Sequence, residues 1–255
     1  MNKPFLSLAG ITITAMFFSP ALADSSSQRS KRQIEEIIRQ YILTHPDVIQ
    51  LSFENMAKKK AAAQKKLMHA AATELKDALR GNTEDPTVGD PSTATATVTV
   101  FYDFHCGFCK QLLPVLTRLM QEDKHLRIVF KDYPILAPDS DLAAKASIAF
   151  YLLNKEHYFD YYTELMKSTG HFDEKSLGEA AGKLGVPVDV LRQTMEKPEI
   201  AAAIAHNKEL ATKLHITGTP TIYVGTEVLP GATTYEQLKE VIRKVRASEA
   251  GNAAS

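Results

Sequence analysis

The repeat of apolar positions changes several times along this chain, and each change marks a boundary. Ile34, Ile37, Ile38, Tyr41 and Ile42 recur at the three-and-four spacing of a helix face. Pro46 ends that pattern and suits the first turn of a second helix, which runs on to Arg80, where Gly81-Asn82 is a stop signal. At 1.5 Å per residue this helix spans about 50 Å. Along it Ile49, Phe53, Met56, Ala63, Leu67, Ala71, Leu75 and Leu79 approach heptad spacing, broken by Lys60. Neither helix has the apolar surface to be stable alone. They either fold back on the rest of the chain or meet a second copy. A long, thinly apolar helix favours the second, so residues 30–80 predict a homodimer. Lys58-Lys59-Lys60 reads as a solvated helix face.

Residues 81–92 are rich in turn formers and predict a linker between residues 24–80 and a main domain over residues 93–247. There the period becomes that of strands. Thr95 to Phe104 alternates and then becomes continuously apolar, as a central buried strand does. A helix from Cys106 to about Gln121 follows, bent at Pro114, then a second strand, Leu126 to Lys131. Residues 140–214 show only helical patterns, at 142–153, 156–167, 173–184, 188–196 and 199–214, with Ser140 as a helix cap. Strand periodicity returns at Thr221–Leu229, a hairpin turning at Gly225-Thr226. A last amphipathic helix covers 234–245, and residues 248–255 read as a flexible tail. The order is β-α-β, a helical block, then β-β-α, an α/β class in which the first two strands pair in parallel through a right-handed crossover.

The N-terminus alters the setting. Lys3, the uncharged apolar run Phe5–Phe18, Pro20 and Ala21-Leu22-Ala23 have the form of a signal peptide cleaved after Ala23, which predicts export to the periplasm. The run is too short to span a bilayer. Basic and acidic residues number 30 each, and the leader holds only Lys3 among them, so nothing points to nucleic acid as a partner.

Exported proteins usually spend cysteines on cross-links. This chain has two, Cys106 and Cys109, and a bridge between them closes too small a loop to restrain the unfolded chain much. A closed zinc site wants four ligands, and His105 and His125 do not supply the spacing, so no metal is expected. What remains is redox chemistry. A Cys-x-x-Cys pair after a strand and at the head of a helix opens and closes a disulfide with little backbone movement. The helix N-terminus favours the Cys106 thiolate, making Cys106 the exposed nucleophile, and Cys109, a turn further in, the buried resolving thiol. The redox-active Cys106–Cys109 disulfide is then the only cofactor. Gly107 and Phe108 tune the pair, and Phe108 either touches substrate or is simply exposed. Asp103 and Lys131 are charges on apolar strands. Either they reach solvent at strand ends or they lie beneath the site and move protons to Cys109. His105 either stabilises the thiolate or faces solvent.

The strand with Phe101-Tyr-Asp-Phe-His-Cys-Gly-Phe-Cys-Lys, Val129-Phe-Lys-Asp-Tyr-Pro, the Gly218-Thr-Pro-Thr before the hairpin, and Pro230-Gly-Ala together resemble the thioredoxin fold. The inserted helical block resembles the DsbA family of thiol–disulfide oxidoreductases, and the N-terminal helices its oligomeric, ScsC-like branch. The resemblance covers residues 95–247. It implies a thioredoxin-like sheet with an inserted helical subdomain, a cis Pro220 facing the cysteines, and a Thr219 backbone offered to an extended substrate peptide. It also implies a DsbB-like or DsbD-like membrane protein as redox partner, and exported proteins with free thiols or wrong disulfides as substrates. The family's prototype oxidase has Pro-His between its cysteines and Val before the cis-proline. Gly107-Phe108 and Thr219 resemble the dimeric isomerases instead, so both disulfide formation and isomerisation are expected. The competing expectation is a non-catalytic surface or scaffold protein whose domain binds peptides or metal.

Overall fold

The computed structural model describes residues 21–253. The expected leader, except for Ala21 to Ala23, lies outside the described residues. Helices α1 (Ala21–Thr44) and α2 (Pro46–Glu74) meet at His45, where Pro46 opens the second helix. α1 takes in the polar residues 24–30, which carry no periodic signal of their own. The chain divides into two units, Met1–Lys59 and Lys60–Ser255. In the first unit, Ile34, Ile37, Ile38, Tyr41 and Ile42 are all exposed, an apolar stripe left uncovered among the described residues.

The second unit is built on a five-stranded sheet in the order β1-β3-β2-β4-β5. Its members are β1 (Thr87–Val88), β2 (Ala96–Tyr102), β3 (Leu126–Asp132), β4 (Thr221–Val224) and β5 (Glu227–Pro230). β2 and β3 are parallel, joined by α4 (Gly107–Glu122), and the other pairings are antiparallel. Gly225, at φ 56°, makes the turn of the final hairpin. Alternation along β2 sends Val98, Val100 and Tyr102 to one face and Thr99 and Phe101 to the other. The first face carries the larger core, with α4, the inserted helices α5 (Ser140–Leu153), α6 (Tyr158–Lys167), α7 (Glu174–Lys183) and α8 (Val188–Met195), and the start of α10 (Tyr235–Ala253). The second face is covered by the end of α2, by α3 (Lys76–Leu79) and by the end of α9 (Pro198–Lys213).

Three expectations are corrected here. The division does not fall at residues 81–92. Met68, Ala72 and Leu79 are buried against Phe101, Leu214 and Tyr223, so residues 60–80 belong to the sheet unit rather than to a free-standing stalk. Burying a side chain of that size contributes about 1.5–3 kcal/mol, which residues 30–59 do not gain in one chain. The turn-rich segment is not merely a linker: its Thr87 and Val88 pair with Val129 and Ile128 and close one edge of the sheet. Nor does the helix stop before residue 248, since α10 continues to Ala253. Arg246 secures it with two bonds to Asp123, at 2.6 and 3.1 Å.

Candidate functional site

β2 ends at Tyr102, and the chain crosses the sheet's end to enter α4 with Cys106 as its N-cap. The cap geometry fixes the sulfur. Cys106 Sγ accepts from the Cys109 amide at 3.3 Å and donates to the Thr219 carbonyl at 3.1 Å. Hydrogen bonding from the Cys109 thiol lowers the Cys106 pKa to about 6. The Thr219 hydroxyl and the Cys109 and Phe108 amides add to this, against an opposing desolvation. Burial pushes the Cys109 thiol far the other way, and the bond it gives Cys106 reinforces this. One pair therefore contains a thiol ionised at neutral pH and a thiol that keeps its proton. Both cysteines are free, and Cys106 is 4% exposed against 0% for Cys109. The nucleophile is thus not open to solvent as expected, because the Thr219 loop lies on it. The Thr219–Pro220 bond is cis. Thr219 Oγ1 is buried with no hydrogen-bond partner, and its nearness favours the thiolate at both sulfurs.

Gly107 has open space where a Cβ would stand, and Phe108 is 60% exposed on the first turn of α4. Ile135 and Leu136 are also exposed, on the loop after β3. That loop is tied to the cysteine loop by Asp103. One carboxylate oxygen accepts from the His105 amide at 2.9 Å and the Ser140 hydroxyl at 3.0 Å. The other accepts from the amides of Ile135, at 2.8 Å, and Leu136, at 3.0 Å.

Asp103 and Lys131 are each engaged by other partners. Both are buried, so neither reaches solvent at a strand end. The Asp103 carboxylate is occupied by four donors. Lys131 pairs in register with Phe101, on the sheet face opposite α4, and its ammonium lies 2.5 Å from Asp85. A buried lysine needs such a partner, and the sequence offered one in the segment read as a linker. His105 is engaged elsewhere too. Its Nε2 lies 2.9 Å from Asp139, off the axis of a good hydrogen bond, and its ring packs edge-on against Phe172 at 5.0 Å. Asp139 also faces His171 at 3.5 Å and accepts from the Phe172 amide at 2.6 Å. That amide, then burial in opposition, dominates an Asp139 pKa held below the usual carboxylate range. The insertion is thereby pinned to the cysteine loop, and Lys110 of α4 adds a bond to the Ser168 carbonyl.

Sequence reasoning missed a buried polar cluster on the cysteine side of the sheet. Tyr102 donates to Asp132 at 2.7 Å, and Ser147 lies 3.1 Å from the hydroxyls of both Tyr102 and Tyr158. Burial holds Asp132 well above the usual carboxylate range, so it keeps its proton. The period-two pattern placed Asp132 on this face, but only the insertion supplies Ser147 and Tyr158. Among the described residues, no group of three or more His, Cys, Asp or Glu is arranged to hold a metal ion, and no helix is long and apolar enough to cross a membrane.

Comparison with known proteins fits this site. Residues 97–243 match the model of the DSBA-like thioredoxin domain. Disulfide bond formation protein D of Bacillus subtilis is 24% identical over 161 residues, 59% of this chain and 72% of that protein. The thiol-disulfide exchange protein alpha-DsbA2 of Wolbachia pipientis superposes with a TM-score of 0.66 at 25% identity, covering 72% of this chain and 98% of that one. BcfH of Salmonella enterica Typhimurium gives a TM-score of 0.69 at 24% identity, covering 88% and 99%. With its ionisable Cys106, its buried Cys109 and this match, the chain belongs to the DsbA family of thiol–disulfide oxidoreductases.

Proposed function

We propose that this oxidoreductase both forms and isomerises disulfides in exported proteins of the periplasm, working as a homo-oligomer joined through its N-terminal helices. The observation that carries the reading is the opposed ionisation of the two thiols. In oxidation, a substrate thiolate attacks Cys106 Sγ of the Cys106–Cys109 disulfide. The S–S bond breaks, and Cys109 leaves as a thiolate and takes up a proton. A second substrate thiolate then attacks the substrate sulfur of the mixed disulfide. Cys106 leaves as a thiolate, the substrate is oxidised by two electrons, and the pair is reduced. A low pKa makes Cys106 a good leaving group in that step. In isomerisation, the reduced Cys106 thiolate attacks a wrong substrate disulfide and is expelled when the substrate re-pairs, with no net electron transfer. A DsbB-like partner would remove two electrons from the pair and a DsbD-like partner would supply them.

A Cys109→Ser variant should accumulate mixed disulfides with exported proteins, released by dithiothreitol. A Cys106→Ser variant that still reshuffled disulfides would overturn the mechanism. Trapping free thiols in periplasmic extracts separates the roles: an oxidised pair marks the oxidase, a reduced pair the isomerase, and a mixture both. Support for self-association comes from the exposed stripe Ile34, Ile37, Ile38, Tyr41 and Ile42, since a contiguous apolar face of this kind marks an interaction surface. Sedimentation should show an oligomer for the mature chain and a monomer when residues 24–59 are removed, a cut that leaves Met68, Ala72 and Leu79 in their core.

A further inference from the structure

A cavity of about 760 Å³ opens at the end of the sheet away from the cysteines. It is lined by residues 94–97, which lead into β2, whereas Cys106 follows the other end of that strand. At about 3.3 Å per residue the two places are some 20 Å apart. Its size lies in the range of small-molecule sites, roughly 300–1,000 Å³.

Its charge is one-sided. Lys65 and Lys76 reach it from α2 and α3, Arg80 from the turn after α3, Arg127 from β3 and Lys244 from α10. Lys244 is paired with Glu240 at 3.4 Å, but Lys65, Lys76, Arg80 and Arg127 have no carboxylate partner among the described residues. Two acids reach the lining, Glu227 and Glu249, and Glu227 already faces His69 at 3.7 Å. Arg127 is held in place, donating to the Arg80 carbonyl at 2.7 Å, and its Nε is buried without a hydrogen-bond partner. A planar guanidinium fixed in this way, in a cavity that lysines also line, matches the forked geometry of phosphate and carboxylate. Cations that serve only solubility spread out on open surface, whereas these line one concavity.

We propose that this cavity is a binding site for a small multivalent anion bearing phosphate or carboxylate groups, separate from the redox centre. Thr73 and Thr97 add hydroxyl groups to the lining, and the acids at its edge leave room for a hydroxyl or amino end of the ligand.

The test is calorimetric titration of the full mature chain with inorganic pyrophosphate and, in parallel, with citrate. The site predicts saturable one-to-one binding of at least one of them. Pyrophosphate alone would assign a phosphate ligand, citrate alone a carboxylate, and both a general polyanion site. Arg127→Gln should weaken binding about tenfold, the worth of one charge-assisted contact. Because Arg127 also braces the Arg80 carbonyl, the exposed Lys76→Gln and Lys65→Gln provide a second, fold-neutral pair that should weaken binding in the same direction. All three variants should keep the wild-type rate of thiol–disulfide exchange. No saturable heat with either anion, or binding that all three substitutions leave unchanged, would overturn the proposal.

Discussion

Replacing Asp103 with Asn tests whether one carboxylate assembles the active-site end of the molecule. The side chains are isosteric, so the change removes a charge and turns one acceptor into a donor. Asp103 accepts from His105, Ser140, Ile135 and Leu136. The Asn oxygen does best facing the Ile135 and Leu136 amides, which have no alternative. Its NH2 then faces Ser140, whose hydroxyl rotates to accept, and the His105 amide, which cannot. One buried N–H is left opposite another donor, at a cost of about 1–3 kcal/mol. The two surviving amide bonds also lose their charge assistance, roughly halving bonds worth about 1.5–3 kcal/mol each. The sum is a destabilisation of about 2.5–6 kcal/mol, a large fraction of the typical 5–15 kcal/mol of a domain. Urea unfolding of the reduced protein measures it, because a shift in midpoint at constant slope reports stability alone. A loss below about 1 kcal/mol would refute the reasoning and return Asp103 to an ordinary strand-end charge.

Alkylation of Cys106 should titrate with a midpoint of about 6, its rate falling below that pH as the thiolate is protonated, and a midpoint near the ordinary thiol value would contradict the site geometry. Between about pH 6 and the unfolded thiol's pKa near 8.5 the unfolded chain binds more protons, so the reduced protein gains stability as pH rises through that window and loses it as pH falls through 6, measurable by urea unfolding across pH. Lys131→Met leaves Asp85 buried without its cation and should cost about 3–5 kcal/mol by the same unfolding measurement, with exchange activity of the folded fraction unchanged because the pair lies on the far face of the sheet. Gly178→Ala places a Cβ 2.6 Å from Val188 Cγ1 and should destabilise by about 1–3 kcal/mol, whereas Gly107→Ala meets open space and should be neutral or slightly stabilising in thermal melts.

The strands, the crossover helix and the cysteine pair were legible because their signals are local. Period-two patterning, a cap position and a two-residue spacing all lie within a few residues. The helical insertion was legible as helices too, with boundaries displaced by a residue or two. Asp139 rather than Ser140 holds the N-cap position of α5, without a side-chain cap bond, while Ser140 gives its hydroxyl to Asp103. What the sequence hid depends on pairs far apart along it. Lys131 meets Asp85 across 46 positions, Asp103 meets Leu136 across 33, and Tyr102 meets Tyr158 across 56. Composition shows that such charges and hydroxyls exist, but only topology decides which of them share a face. The heptad-like pattern of α2 misled for a related reason: Leu75 and Leu79 continue the stripe, yet they pack on the sheet.

The two margins of the sheet have a consequence for an enzyme that exchanges disulfides with other proteins. An extended client offers a row of free amides and carbonyls to any open strand. Here one margin is the two-residue β1, and the other, β5, begins at the exposed Glu227 and stops at Pro230. A strand so short gives little to pair with, and proline donates nothing. A substrate protein meeting these margins would therefore find little strand edge to anneal to, which leaves the end of the sheet at the cysteine pair as the place to dock.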